Sequence, residues 1–142
     1  MSDWDGRFLD MATLVSKWSK DPSTKVGAVI TRGKFVVSLG FNGHPAGVAD
    51  SPERLENRET KYRTIIHAEM NAILSAGKPL AGCTLYVWPF MPCSQCASAI
   101  IQSGIRRVVT VPCENERWAD SFRYTEELFR EAGVELVMRE SG

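Results

Sequence analysis

Apolar residues recur at three- and four-residue steps through Trp4, Phe8, Met11, Ala12, Val15 and Trp18, which predicts an amphipathic helix over 3–20 with Asp3 as its N-cap. Both tryptophans read as core packing rather than as a binding stripe. Asp21-Pro22-Ser23 ends the helix. Two β-rich runs over 26–31 and 35–39, joined by Arg32-Gly33-Lys34, predict an antiparallel hairpin. A glycine-rich loop over 40–47 follows, then a polar stretch over 48–64 with charges of both signs and no apolar period. It reads as a long irregular loop, and such loops inside a domain are often functional. Beyond it helical and strand patterns alternate. A helix runs from about His67 to Gly77, a strand over 84–88, and a helix over 93–103 closed by Gly104. A strand over 108–111 comes next, then a helix over 119–132 with Phe122, Leu128 and Phe129 on its apolar face, then a strand over 134–138.

The order α-β-β-α-β-α-β-α-β implies right-handed parallel crossovers in its second half. The expected architecture is α/β: a five-stranded mixed sheet between helical layers, in a single domain over 1–142. Strand ends and helix N-termini would gather a site at one sheet edge. Composition narrows the function classes. Seventeen basic and seventeen acidic residues cancel, which argues against a polynucleotide groove but leaves room for one small anionic ligand. The first residues lack the basic and apolar regions of a signal peptide, and no apolar run approaches a membrane span. Four cysteines with no disulfide-like framework suggest a reducing, cytoplasmic setting.

Two stretches carry the candidate chemistry. Ile65-Ile66-His67-Ala68-Glu69 offers an imidazole and, two residues on, a carboxylate. Pro92-Cys93-Ser94-Gln95-Cys96 offers two thiols at CxxC spacing. One His and two Cys make a three-ligand zinc set that leaves the fourth tetrahedral position to water, whose pKa the metal lowers to about 7. Both stretches lead into predicted helices, whose N-termini stabilise thiolate. Pro92 suits a helix start, where its missing N–H is no loss. Glu69 is spaced wrongly to ligate beside His67 on one helix face and is placed to shuttle protons instead. Alone, CxxC also suits a thioredoxin-like redox pair. A closed structural zinc would need His44, Cys83 or Cys113 as its fourth ligand. His67 and Glu69 upstream, and the absence of metal spacing to those three, favour the open site.

His67-Ala68-Glu69 followed by Pro92-Cys93-Ser94-Gln95-Cys96 matches the signature of zinc nucleobase deaminases. Together with Asp21-Pro22-Ser23-Thr24-Lys25-Val26-Gly27, Gly40-Phe41-Asn42-Gly43-His44-Pro45, Lys61-Tyr62 and Gly82-Cys83-Thr84-Leu85-Tyr86, nearly the whole chain resembles the deoxycytidylate deaminases of the cytidine deaminase superfamily. The resemblance implies a three-layer α/β/α cytidine-deaminase-like fold, one zinc ion per chain, and hydrolysis of dCMP to dUMP and ammonia. It assigns Glu69 the transfer of a proton from the attacking water to N3 and then to the departing amine. Ala68 N–H would meet the ring carbonyl, and the backbone before Cys93 would accept from the exocyclic amine. Asn42 would contact the sugar, Ser23, Thr24 and Lys25 the 5′-phosphate, and Trp118 the pyrimidine, with Arg123 and Tyr124 as fainter phosphate candidates. Plainer readings stand beside these: a turn residue with positive φ for Asn42, an exposed turn for 23–25, core packing for Trp118. The resemblance also implies a homo-oligomer, a hexamer in many relatives, and raises dCTP and dTTP as possible effectors. Phe41 stands where Tyr is common, the segment 88–92 is one residue longer than in many relatives, and 43–66 hold His44 but no Cys, so a second zinc is not expected. The competing readings are a deaminase of another cytosine or adenine nucleoside or nucleotide, and a zinc-stabilised binding module without turnover.

Overall fold

In the computed structural model, which describes residues 3–139, the Asp3 carboxylate accepts from Gly6 N at 3.0 Å and caps α1 (Trp4–Ser16). Phe8, Leu9, Ala12 and Val15 form the buried stripe of α1. The helix stops before its apolar pattern does. Lys17, Trp18 and Ser19 donate to carbonyls three residues back, at 3.0–3.1 Å, and this tighter turn takes the chain off the helical path. Trp18 is therefore not on the core face: it is 50% exposed and meets Phe41 edge-on.

β1 (Gly27–Arg32) and β2 (Phe35–Phe41) form the expected hairpin, with Arg32 opposite Phe35 across the two-residue Gly33-Lys34 turn. β3 (Thr84–Trp88), β4 (Arg107–Thr110) and β5 (Glu135–Met138) complete a five-stranded sheet of order β2-β1-β3-β4-β5. β1 runs antiparallel to both β2 and β3, whereas β3, β4 and β5 are parallel. The mixed sheet is thus the expected one, an antiparallel hairpin joined to parallel crossovers.

Alternation along the strands divides the core in two. Val29, Tyr86 and Val109 face α1. Ala28, Ile30, Leu85, Val87 and Val108 face α4 (Ala68–Ala76), α5 (Ser94–Ser103) and α6 (Ala119–Ala132). The result is three layers, α/β/α. Close approach matters at Gly27, where a Cβ would fall 2.0 Å from the Ala12 carbonyl oxygen, so glycine lets α1 lie against β1.

The stretch 48–64 is not an irregular loop. It holds two short helices, α2 (Pro52–Glu56) and α3 (Arg58–Thr64). Ser51 and Asn57 cap them, accepting from Arg54 N at 3.2 Å and Thr60 N at 3.0 Å. Only Leu55 and Lys61 are buried, too few to impose an apolar period on the sequence. No described helix is long and apolar enough to cross a membrane.

Candidate active site

His67 and Cys93 are the N-cap residues of α4 and α5, both in extended backbone, and neither side chain caps its own helix. Both side chains are thereby left for other work. The chain before His67 is fixed by an exchange of backbone hydrogen bonds between Gly43 and Ile66, at 3.1 and 2.8 Å. The segment at Cys93 is held by α6: Ser121 Oγ accepts from Ser94 N at 2.9 Å, and Thr125 Oγ1 donates to the Pro92 carbonyl at 2.9 Å. That carbonyl, the expected acceptor for an exocyclic amine, already carries one hydrogen bond.

His67 Nδ1 lies 3.2 Å from Cys96 Sγ and 3.5 Å from Cys93 Sγ. A tetrahedral zinc ion, with bonds of about 2.1 Å to nitrogen and about 2.3 Å to sulfur, sets such atoms roughly 3.6 Å apart. One nitrogen and two sulfurs are also a donor set of zinc's chemical taste, so the residues fit the ion. Among the described residues no other His, Cys, Asp or Glu joins this group. His44 instead bonds Thr64 Oγ1 at 2.8 Å and lies 3.4 Å from Asp50.

The electrostatics suit the same use. A hydrogen bond from Cys96 holds the Cys93 thiol down to about 4, aided by His67 and opposed by burial. Cys96 is pushed up, chiefly because it donates to Cys93. The His67 imidazole is raised by its bond to Cys93 and by the nearby Glu69 carboxylate. Glu69, in the first turn of α4, is 4% exposed, and burial pushes its carboxyl up to about 7.

These groups open on a cavity of about 360 Å³. Ala68 and Glu69 line it beside an aromatic wall of Phe90, Trp118 and Phe122, with ring centroids about 6 Å apart: 6.1 Å for Phe90–Trp118 and 5.9 Å for Phe90–Phe122. Trp118 closes a 3-10 turn (Glu116–Trp118) that leads into α6. Arg58, Lys61 and Arg117 bring positive charge to the same lining around Tyr62, with Asp21 and Glu56 also in it. Arg117 donates to the Tyr62 hydroxyl, and the Arg58 guanidinium sits 5.8 Å from the Tyr62 ring centroid.

Ser23, Thr24 and Asn42 also line the cavity, whereas Lys25 does not: it is exposed and donates to the Ser19 carbonyl. Asn42 Oδ1 accepts from Val26 N at 2.9 Å, and its Nδ2 donates to Thr24 O at 2.9 Å and Asp21 Oδ2 at 3.3 Å. Its amide thus shapes the 21–26 turn. Among the described residues no non-glycine has positive φ, so the alternative reading of Asn42 as a left-handed turn residue does not hold. Arg123 pairs with Asp120 at 3.3 Å and lies outside the lining, as does Tyr124. Arg58 and Arg117 gave no signal in the sequence. Thr125 gave none either, although it stands at core spacing between Phe122 and Phe129, the other buried residues of α6.

Residues 2–112 match the family model described as the cytidine and deoxycytidylate deaminase zinc-binding region. A protein of Aliivibrio fischeri described as an uncharacterized deaminase is 49% identical over 141 residues, covering 96% of this chain and 94% of that one. The deoxycytidylate deaminase of Mus musculus is 41% identical over 141 residues, covering 93% of this chain and 77% of its own. The dCMP deaminase of cyanophage S-TIM5, solved with dCMP and dUMP, shares the fold at a TM-score of 0.75 and 24% identity over 94% of each chain. The match spans most of the chain and includes the His67-Cys93-Cys96 donor set, so the chain belongs to the cytidine and deoxycytidylate deaminase family.

Proposed function

We propose that this chain is a zinc-dependent dCMP deaminase, which converts dCMP and water to dUMP and ammonia. The observation that carries the reading is one cavity lined by the buried Glu69, by His67 and Cys93 of the His67-Cys93-Cys96 donor set, and by Arg58, Lys61 and Arg117. Relatives named deoxycytidylate deaminase in Mus musculus and Homo sapiens, at 41% and 39% identity, support it.

His67, Cys93 and Cys96 would hold the ion, and a bound zinc supplies the Lewis acidity that makes a nucleophile of water at neutral pH. Glu69 does the proton work. Its carboxylate takes a proton from the attacking water and delivers it to N3 of the cytosine as the new C4–O bond forms. It then takes the remaining proton from the new C4 hydroxyl and hands it to the C4 amine, which leaves as ammonia as C4 becomes a carbonyl. A carboxyl near 7 can give and take protons at neutral pH. The N–H of Ala68 has no partner within α4, as at any helix start, and suits the pyrimidine carbonyl. Phe90 and Trp118 flank the base and exclude water. Arg58 and Arg117 offer forked donors to the 5′-phosphate, and Ser23 and Thr24 add short polar groups beside them. Lys25, turned toward Ser19, contributes less than its charge suggested.

The reading includes a cytoplasmic homo-oligomer, hexameric by resemblance. Four unpaired cysteines, two needed as thiolates, suit a reducing compartment. The test is ammonia release from dCMP, CMP, deoxycytidine, cytosine and dCTP by zinc-loaded protein, with and without added dCTP and dTTP. dCMP should be the preferred substrate. Equal turnover of deoxycytidine would overturn the mononucleotide assignment.

A further inference from the structure

Asp21 is 4% exposed and Lys61 7% exposed, and their charged atoms meet at 3.1 Å. The same carboxylate accepts from Ser23 N at 2.8 Å, Thr24 N at 3.2 Å and Asn42 Nδ2 at 3.3 Å. One buried group therefore ties together three separate pieces of the cavity wall: the turn after α1, the end of β2, and α3. Burying an ion pair is costly compared with apolar residues of the same volume, so its position asks for a reason. The Lys61 ammonium has three N–H donors, and Asp21 is their one hydrogen-bond partner among the described residues. Its other two N–H groups have no partner among the described residues and belong to a residue that lines the cavity. Donors so placed are free to meet an acceptor that enters it.

We infer that Asp21 is a positioning residue for nucleotide binding: it aims Lys61, whose spare N–H groups take a phosphoryl oxygen of the ligand. Paired with Asp21, Lys61 adds direction rather than net charge, whereas Arg58 and Arg117 supply the charge. The inference rests on the mononucleotide reading of the site.

The test is equilibrium binding of dUMP and of deoxyuridine to zinc-loaded wild type, K61M, D21N and the double variant. Wild type should prefer dUMP. K61M should lose about 10-fold or more of that preference, the worth of a hydrogen bond to a charged group, while deoxyuridine binding moves little. D21N should lose a similar factor, and the double variant no more than K61M alone, because Asp21 acts through Lys61. With dCMP as substrate, the loss should fall on KM rather than kcat. A dUMP preference unchanged in K61M, equal weakening of both ligands, or additive losses would overturn the inference. Should D21N fail to fold, D21E, which keeps the charge and shifts it by one methylene, takes its place with the same outcomes. A wild type that prefers dUMP yet releases no ammonia from dCMP sinks the proposed reaction and not this inference. A wild type without the preference sinks the inference.

Discussion

Gly40 of β2 lies directly beneath Ala68, the first residue of α4: a Cβ at position 40 would stand 2.6 Å from the Ala68 carbonyl oxygen and 2.5 Å from Ala72 N. The missing side chain lets the turn that carries His67 and Glu69 press onto the sheet. Ser38 Oγ, bonded to the Ala72 carbonyl at 2.7 Å, and Asn71 Nδ2, bonded to the Phe41 carbonyl at 2.8 Å, hold the same pair of elements together. Gly40→Ala must lift α4 away. Overpacking costs about 1–3 kcal/mol, and a clash with backbone belongs at the upper end. Urea unfolding should show that loss, and metal analysis should show less zinc per chain. A variant as stable as wild type, with full zinc, would mean that α4 does not press on β2 at Gly40.

Much of this was legible from residue patterns because the physics is local. The period-two runs marked β1 and β2, and Asp3 and Gly104 marked helix ends by their own conformational preferences. The donor set was legible because CxxC spacing at a helix start and a His at another define it without tertiary knowledge. Other features depend on distant partners. The Asp21–Lys61 pair joins residues 40 apart. Gly27 looked like an ordinary strand glycine and Gly40 like the first residue of a glycine-rich loop, since only the packed helices reveal why a Cβ is excluded. Lys25 advertised a charge whose direction the sequence does not encode. Helices α2 and α3 carried readable caps at Ser51 and Asn57, but little burial to support a period.

Stability should depend on pH through the ties between α1 and the sheet. Asp5 accepts from Arg107 at 2.8 and 2.6 Å and from the Tyr86 hydroxyl at 2.7 Å. The Arg107 guanidinium holds the Asp5 carboxyl below its usual value of 3.8. A carboxyl depressed by folding stabilises above that value, and the contribution is lost as pH falls from 3.8 through the folded value. Tyr86 is pushed from 10.0 up to about 12, by burial first and then by Asp5. A raised phenol stabilises below pH 10.0, and that contribution is lost as pH rises toward about 12. Asp5→Asn should be less stable at neutral pH yet lose less in both windows. Denaturant midpoints below pH 3.8, at neutrality and above pH 10 check this. Parallel profiles for wild type and variant would show that Asp5 does not couple to either.

Removing zinc should cost stability and activity together. An ion that binds only the folded chain stabilises it by about 2.7 kcal/mol at a hundredfold excess over its Kd. Chelated protein should melt lower and regain its melting temperature on adding zinc. Cys96→Ser should lose that response, because the thiolate count falls. Zinc titrated into weakly buffered protein near neutrality should release protons, since Cys96 holds one that a ligand sulfur must give up. A melting temperature indifferent to chelation would exclude His67, Cys93 and Cys96 as a zinc site.

Glu69 separates an enzyme from a zinc-stabilised binding module. Its carboxyl is buried between the donor set and the aromatic wall, where burial rather than a partner charge sets its proton affinity. Glu69→Gln keeps the shape and one acceptor oxygen but cannot carry a proton. If Glu69 moves protons between water, N3 and the departing amine, kcat for dCMP should fall by about 10²–10⁴-fold. Zinc content and dUMP binding should stay near wild type, because neither uses the proton. A loss confined to KM would mean that Glu69 only binds substrate. Turnover kept at the wild-type rate would mean that the proton travels by another group. Wild-type protein that binds zinc and dUMP but releases no ammonia would favour the binding module.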